Sequence, residues 1–364
     1  MSGIIAGNSR SEQQLFELLK TIPDENILCF LSTESGDKTL SGLPVLSYEE
    51  GILLYRSGKV DHFYITPGEK LKADATAYTF LRLGVAESDI WYVSQDYDIT
   101  PFFERRELSY LEYQVADNCN MNCSSCSHYS NLIKGNVLSD YERTRNGFLK
   151  LKKYVDNICL IRVLGGEPLL NPDLDKYIAM NREIFPYSRI EIVTNGILVR
   201  SMPDHLIRSI KDNCIVMNIS FYPAMKEKMA EVTAHLDGLN IPYFVSPMIN
   251  EFCKVTDPSG SQNSAESFKK CTWRYCTMLR DDRLGLCAFS FLTKYFNEYY
   301  KEFHLPESGS FSLNDPDLTS EKIMRRLNTP IEFCSYCKQP GDPCEWKHGP
   351  AGSGIPEDII IDQP

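Results

Sequence analysis

Short apolar runs alternate with segments of helical periodicity along the first hundred residues. The runs have the length and the β-branched and aromatic content of buried strands, whereas the segments between them repeat apolar residues every three or four positions. The runs are GIIAG, ILCFLS, GLPVLSYEE, VDHFYITP and DIWYVS, and the clearest helical segments are SEQQLFELLKTI and TAYTFLRLG. This alternation predicts a small parallel sheet covered by helices over residues 1–100.

A second alternation begins near residue 108 and continues to residue 260. Helical segments separate five predicted strands, which are YLEYQVA, NICLIRVLGG, RIEIVTNG, CIVMNISFYP and IPYFVSPM. Repeated strand–helix units of this kind build either a parallel barrel or a doubly wound sheet. After residue 260 the pattern gives way to irregular, cysteine-rich sequence, so we expect a small third domain over residues 261–350.

Composition restricts the class of protein. The 364 residues are 43% hydrophobic and 24% charged, as in ordinary globular proteins. The formal net charge of −11 and the lack of a Lys/Arg cluster argue against a nucleic-acid partner. No apolar stretch approaches the roughly 18 residues of a membrane span, and the first residues do not have the pattern of a signal peptide. We therefore expect a cytoplasmic protein with no membrane partner.

The thirteen cysteines carry the strongest chemical signal. In a reducing compartment, closely spaced cysteines indicate metal or redox chemistry rather than disulfides. Isolated cysteines are usually small buried apolar residues, and we expect this of Cys29 and Cys159. The grouped cysteines are Cys119, Cys123 and Cys126, then Cys271, Cys276 and Cys287, and finally Cys334, Cys337 and Cys344.

The first group lies in CNMNCSSCSH, immediately after a predicted strand. It supplies three thiolates, whereas a fully ligated [4Fe–4S] cluster takes four cysteines. One iron would therefore remain open for another ligand. A zinc site built from the three cysteines and His128 is the structural alternative.

This spacing after the first strand of a strand–helix repeat resembles the radical S-adenosylmethionine (SAM) superfamily. The resemblance implies a partial (β/α)6 TIM-like barrel whose open iron chelates the amino and carboxylate groups of SAM. Reductive cleavage of SAM would then give a 5′-deoxyadenosyl radical, and a flavodoxin or ferredoxin would supply the electron. The family commonly has an aromatic residue before the third cysteine, where this chain has Ser125, so His128 or Tyr129 would contact adenine instead.

Later strand ends carry further motifs of the same family, and the resemblance covers about residues 108–250. A glycine pair would let backbone approach the methionyl end of SAM, and polar groups would contact its ammonium, ribose or carboxylate. Barrel enzymes keep their sites at these carboxyl ends of strands. The matching residues are Gly165, Gly166, Glu167, Pro168, Thr194, Asn195 and Ser220.

The cysteine-rich end resembles the SPASM or Twitch extension of radical SAM enzymes. CTMLRDDRLGLC has the pattern of a hairpin with a cysteine at each end. The resemblance implies one auxiliary [4Fe–4S] cluster held by Cys271 or Cys276 together with Cys287, Cys334 and Cys337. Cys344 would be a reserve ligand or a free thiol. A structural zinc site is the alternative here too.

The first hundred residues resemble the Rossmann-like domain of sugar-modifying enzymes, which in some cases binds a nucleotide-sugar. The turn AGNSRS has one glycine where a dinucleotide fingerprint has three, although the N-terminus of the first helix could attract a phosphate. A purely structural or docking domain is the alternative.

The layout as a whole resembles radical SAM proteins of sugar and polysaccharide modification, among them a Twitch-bearing aminocyclitol dehydrogenase. We therefore expect oxidation or epimerisation of a sugar or nucleotide-sugar. Oxidation needs a base and an electron acceptor, whereas epimerisation needs a hydrogen donor, for which Cys253 is the candidate and Cys214 a weaker one. A buried structural role is the alternative for Cys253. Other hypotheses are a peptide-modifying maturase and a non-catalytic zinc-binding interaction protein.

Overall fold

The computed structural model describes residues 1–33, 39–66 and 72–361, and Pro67 at the end of one predicted strand lies outside them. The chain divides into two compact units. The first comprises Met1–Ser109 and Thr319–Asn328, and the second contains Tyr110–Leu318 and the chain from Thr329 onward. Residues 261–318 and 329–350 of the expected third domain lie in the second unit, and residues 319–328 lie in the first. Most of the expected domain packs with the barrel strands, because its hairpin extends their sheet.

The secondary structure of the described residues follows the predicted alternation. The strands are β1 (Ser2–Ala6), β2 (Asn26–Leu31), β3 (Thr39–Leu40), β4 (Leu43–Leu46), β5 (His62–Ile65), β6 (Ile90–Val93), β7 (Ile99–Pro101), β8 (Glu107–Leu108), β9 (Leu111–Ala116), β10 (Asn157–Ile158), β11 (Leu160–Gly165), β12 (Arg189–Thr194), β13 (Val216–Ile219), β14 (Tyr243–Val245), β15 (Glu251–Thr256), β16 (Thr277–Arg280), β17 (Arg283–Leu286), β18 (Ser310–Ser312) and β19 (Cys337–Glu345). The α-helices are α1 (Arg10–Leu19), α2 (Tyr48–Arg56), α3 (Lys72–Arg82), α4 (Tyr141–Leu151), α5 (Leu174–Ile184), α6 (Asp204–Asp212), α7 (Met229–Leu239), α8 (Ser264–Lys270), α9 (Ala288–Tyr299), α10 (Ser320–Arg326) and α11 (Pro356–Ile359).

The first unit is built on a sheet of order β3-β4-β2-β1-β5-β6-β7. Its central strands, from β4 to β6, are parallel, and an antiparallel strand closes each edge. Ile5, Phe30 and Val93 are fully buried in its core. The predicted parallel sheet with covering helices is confirmed. Helix α10 belongs to this unit although it lies some two hundred residues further along the chain.

A buried carboxylate occupies the N-terminal end of α1. Glu12 accepts hydrogen bonds from Ser9 N at 2.8 Å and from Thr66 Oγ1 at 2.5 Å. Its side chain also fills the space beside Gly7, where an added Cβ would lie 2.7 Å from Glu12 Cδ. A phosphate at this helix end would meet that carboxylate. The structure therefore gives no support to the phosphate site considered for α1.

The second unit is built on a sheet of order β14-β13-β12-β11-β9-β16-β17-β18. The five strands from β9 to β14 are parallel, and α4, α5, α6 and α7 connect or follow them. This is the predicted partial barrel. The cysteine-flanked hairpin β16–β17 is also present, and β16 pairs in parallel with β9 through Met278 and Glu112.

An ion-pair network ties the hairpin to the end of β9. Arg280 donates to both carboxylate oxygens of Asp117, at 3.0 and 2.6 Å, and Tyr295 on α9 donates to the same carboxylate. Asp117 is only 1% exposed, so these charge-assisted bonds are shielded from water. The network holds the first residues of the cysteine loop in place. Within the described part of the chain, no helix has the length and apolarity to cross a membrane.

Candidate functional site

The carboxyl ends of β9, β11, β12 and β13 meet at one edge of the sheet and surround a cavity of about 360 Å³. Ligand pockets commonly begin at about this size. Of the residues predicted to bind iron, SAM or substrate, the cavity walls include Cys119, Cys123, Cys126, His128, Gly165, Gly166, Thr194, Asn195, Ser220 and Cys253. Glu167 and Pro168 do not line it.

The three-cysteine loop is held by hydrogen bonds to its own backbone and to the end of β12. Met121 N donates to Cys119 Sγ at 3.4 Å. Asn195 Nδ2 lies 2.8 Å from Asn120 Oδ1 and 3.6 Å from Cys119 Sγ. The side chain of Asn195 therefore orients the loop, in addition to forming part of the cavity wall.

The two glycines after β11 are required by backbone packing. A Cβ on Gly165 would overlap the carbonyl oxygen of Ala116, and a Cβ on Gly166 would lie 2.6 Å from Asp117 O. Gly166 N donates to Ala116 O at 2.8 Å, and Glu167 N donates to Asn118 O at 3.0 Å. The glycines therefore allow β11 to approach the start of the cysteine loop. The glycines were predicted to leave room for the cofactor, and this close approach of two backbone segments is a second reason why glycine is needed at both positions.

The side chain of Glu167 connects two strand ends. It is fully buried and accepts hydrogen bonds from Thr194 Oγ1 at 2.7 Å, Asn195 N at 2.9 Å and Leu169 N at 3.1 Å. Burial raises the pKa of this carboxyl to about 7, although the three donors favour the charged form. Glu167 was expected among the residues that contact SAM, but its side chain does not line the cavity.

His128 forms a pair with Cys126 in the cavity wall. Burial alone would lower the pKa of His128, but its hydrogen bond with Cys126 and the charge of that thiolate raise it. The same contacts lower the pKa of Cys126 despite burial. Tyr129, the other residue considered for adenine contact, is fully buried against Phe289 and Phe296 and does not line the cavity.

The polar end of β13 also faces the cavity. Ser220 lies in its wall beside Tyr222, with which it forms a side-chain hydrogen bond. Burial raises the pKa of Tyr222, so this side chain stays a neutral phenol. Ser220 keeps the predicted position for a ribose or carboxylate contact.

Sequence analysis missed the contribution of the segment after β19. Trp346 donates its indole N–H to Cys123 Sγ at 3.2 Å, and Ser124 N donates to Lys347 O at 2.8 Å. Cys344 lies on the same side, with its sulfur 3.3 Å from Ser125 Oγ. This segment therefore covers the cysteine loop. A tryptophan close to Cys344 was the only sequence signal for it.

A second group of thiols surrounds a separate small cavity. Its walls contain Cys271, Cys287, Cys334 and Cys337 together with apolar side chains such as Phe268 and Phe333. Backbone N–H of Trp273 donates to Cys271 Sγ, and Gln339 Nε2 donates to Cys337 Sγ, both at 3.3 Å.

Cys276, the alternative predicted ligand, does not line the second cavity. Its carbonyl accepts a hydrogen bond from Cys287 N at 3.0 Å, which fixes the start of the hairpin. The geometry therefore favours Cys271 over Cys276. Cys344 lies beside the first cavity instead, as described above.

Strand β15 contributes a carboxylate and a thiol to the cavity wall. Glu251 and Cys253 are two residues apart on β15, so their side chains share a face, and both are exposed and line the first cavity. The exposed position of Cys253 disagrees with the alternative of a buried structural role. Among the isolated cysteines, Cys29 is buried as expected, Cys159 is only partly buried and Cys214 is exposed.

The donor sets fit iron–sulfur clusters. Thiolates are the ligands that such clusters select, and each cysteine binds a different iron, so the sulfurs stand around a cavity. A single zinc ion needs ligands that converge on one point. In residues 1–33, 39–66 and 72–361, no three His, Cys, Asp or Glu side chains form such a group. Cys119, Cys123 and Cys126 would hold one cluster, and the four thiols of the second cavity would hold another.

Comparisons with known proteins give matches to parts of this chain. The GTP 3′,8-cyclase of Sulfurimonas denitrificans is 32% identical over 145 residues, which cover 37% of this chain and 43% of the cyclase. Molybdenum cofactor biosynthesis protein 1 of Homo sapiens is 32% identical over 102 residues, covering 27% of this chain and 16% of that protein. The chain thus spans less than half the length of these curated relatives.

Among solved structures, BtrN in complex with AdoMet and 2-DOIA matches 64% of this chain and 94% of its own, with 17% identity and a TM-score of 0.40. The model of the radical SAM superfamily matches residues 113–222, from β9 to just beyond β13. This range contains the cysteine triplet and all the strand-end motifs. Residues 113–222 therefore have the sequence pattern of the radical SAM superfamily.

Proposed function

We propose that this protein is a radical SAM enzyme that oxidises a sugar or nucleotide-sugar. The observation that carries the proposal is the first cavity, where three thiols and the ends of four parallel strands meet. When bound there, the cluster and SAM supply a 5′-deoxyadenosyl radical that abstracts a hydrogen atom from the substrate. The protein itself orients both molecules through the cysteine loop, the glycine-lined end of β11 and the polar ends of β12 and β13.

Two features of the cavity favour oxidation of an alcohol to a ketone. The side chain of Glu251 forms no hydrogen bond or ion pair with another described residue, so its carboxylate is available to accept the hydroxyl proton. Trp273 lines both the first cavity and the four-thiol cavity. The second cavity would hold the one-electron acceptor that completes the oxidation, and a flavodoxin or ferredoxin would supply the electron that cleaves SAM.

Epimerisation is the second candidate outcome, because the thiol of Cys253 is exposed in the same cavity. A thiol on the sugar face opposite the abstracted hydrogen would return a hydrogen atom with inverted configuration. The thiyl radical left on Cys253 would then take one electron, supplied by the flavodoxin or ferredoxin, and one proton from water to restore the thiol. The two outcomes differ in a measurable way, since epimerisation in D₂O places deuterium on the substrate carbon and oxidation produces a carbonyl group.

The first test is SAM cleavage. Anaerobically reconstituted protein should hold about eight irons and release 5′-deoxyadenosine when SAM and a reductant are added. Cys126→Ser should abolish this release, whereas Cys214→Ser, an exposed cysteine outside both cavities, should leave it intact. Release by the Cys126 variant at the wild-type rate would refute the assignment of the triplet.

The second test identifies the substrate class. Sugars, nucleotide-sugars and GTP are incubated separately with the reconstituted enzyme in D₂O, and products are analysed by mass spectrometry and NMR. A ketone product supports oxidation, and a deuterated epimer that is lost in Cys253→Ser supports epimerisation. Turnover of GTP alone would contradict a sugar substrate and would place the activity with that of the cyclases.

A further inference from the structure

The indole of Trp346 is directed at one sulfur of the cysteine triplet. Its Nε1 lies 3.2 Å from Cys123 Sγ, and both side chains are more than nine-tenths buried. We propose that Trp346 tunes the iron–sulfur centre of the first cavity, because its N–H stabilises negative charge on Cys123 and raises the reduction potential. This inference rests on the proposed function, since it requires Cys123 to be a cluster ligand.

The indole ring is held in place on several sides. Trp346 N donates to Asn250 O at 2.8 Å, which fixes the backbone next to β15. The ring stacks on Tyr222 with centroids 5.5 Å apart and planes 18° apart, and on His348 at 5.1 Å and 26°. A ring restrained in this way keeps its N–H aimed at the sulfur.

The backbone beside Trp346 is also attached to the cysteine loop itself. Ser124 N donates to Lys347 O at 2.8 Å, and Gly349 N donates to Asn122 O at 3.3 Å. The donor and the sulfur therefore belong to one hydrogen-bonded assembly, although 223 positions separate Trp346 from Cys123 along the chain. Backbone hydrogen bonds therefore fix the short distance between Trp346 Nε1 and Cys123 Sγ.

An N–H···S bond acts on the potential through charge. Reduction adds an electron to a cluster, and part of that charge resides on the cysteine sulfurs, so a donor stabilises the reduced state more than the oxidised state. The burial of Trp346 keeps water from replacing the indole donor. Cys119 accepts from Met121 N and Asn195 instead, so Trp346 acts on one ligand of the three.

The test is a redox titration of Trp346→Phe, monitored by EPR on the signal that changes when SAM is added. Phenylalanine keeps an aromatic ring against Tyr222 but has no N–H. We expect a more negative midpoint potential with unchanged iron content. Trp91→Phe, in the N-terminal unit, is the matched control and should keep the wild-type potential. A Trp346→Phe potential equal to that of the wild type would overturn the proposal.

A second measurement uses the wild-type protein and does not depend on how the variant folds. Protein carrying indole-¹⁵N tryptophan is reduced, and pulsed EPR should detect coupling between the SAM-responsive centre and one ¹⁵N nucleus. Trp273→Phe, which changes the tryptophan lining the cavity, should retain that coupling. Absence of that coupling would also overturn the proposal. A wild-type protein that assembles no SAM-responsive centre would instead refute the proposed function, which separates the two failures.

Discussion

Replacing Gly166 by alanine tests whether the cysteine loop depends on the close approach of two strand ends. The added Cβ would lie 2.6 Å from Asp117 O and would also overlap the backbone of Asn118. Real Cβ atoms essentially never come within 3.0 Å of such atoms. Because the obstacle is backbone rather than a flexible side chain, either β11 or the cysteine loop must move.

The movement would disturb two hydrogen bonds, from Gly166 N to Ala116 O at 2.8 Å and from Glu167 N to Asn118 O at 3.0 Å. A buried donor that loses its acceptor costs about 1–3 kcal/mol. Alanine offsets about 0.4–1 kcal/mol of this by reducing the entropy of the unfolded chain. With both bonds lost, we expect a net decrease of about 1–5 kcal/mol in the free energy of unfolding.

Urea unfolding of the iron-free protein measures this loss, and iron content after reconstitution reports on the loop. Gly238→Ala is the matched control, because Gly238 lies in α7 with no atom within 4 Å of its added Cβ. Alanine should stabilise the helix there by about 0.5–1 kcal/mol. A Gly166→Ala protein with wild-type stability and a full complement of iron would refute the reasoning.

The remaining predictions concern a buried carboxyl, the auxiliary thiols and the cavity carboxylate. Since burial raises the pKa of Glu167 from 4.5 to about 7, the native state holds this proton more tightly than the unfolded state. The free energy of unfolding of the wild type should therefore fall by about 3 kcal/mol as pH rises from about 4.5 to about 7. Urea unfolding of Glu167→Gln over the same pH range should not show this decrease. The same pH dependence in both proteins would contradict the prediction. Cys271→Ser should reduce the iron content from about eight to about four, whereas Cys276→Ser should leave it unchanged, and the reverse pattern would exchange the two assignments. Glu251→Gln should still form 5′-deoxyadenosine but yield oxidised product roughly 10²–10⁴-fold more slowly, and wild-type product formation would exclude it as the proton acceptor.

Most of the fold could be predicted from local sequence patterns. The strands β9, β11, β12 and β13 and the helices between them are visible from periodicity, because each buries a face through its own spacing of apolar residues. The cysteine triplet was equally accessible, since its three members lie within eight residues and follow directly on β9. Both features depend on neighbours in sequence.

Long-range contacts were not accessible in this way. Trp346 reaches Cys123 because β19 pairs with β15, and no periodicity in either strand indicates that partner. Glu12 lies in the first turn of α1, and its contact with Thr66 forms only after β1 and β5 have paired. From the sequence, Gly166 was expected to leave room for the cofactor. Only the structure shows that the backbone of Asn118 lies against Gly166.

Helix α10 is part of the first unit, and this affects when that unit can fold during synthesis of the chain. Arg325 donates to Glu87 at 2.6 Å, and Asn328 donates to Asp74 at 3.4 Å, so this helix contributes contacts that residues 1–109 cannot supply alone. A nascent chain must include Thr319–Asn328 before this unit can be completed. Residues 1–109 would therefore lack these contacts until that helix has been synthesised, and no single proteolytic cut can release the unit intact.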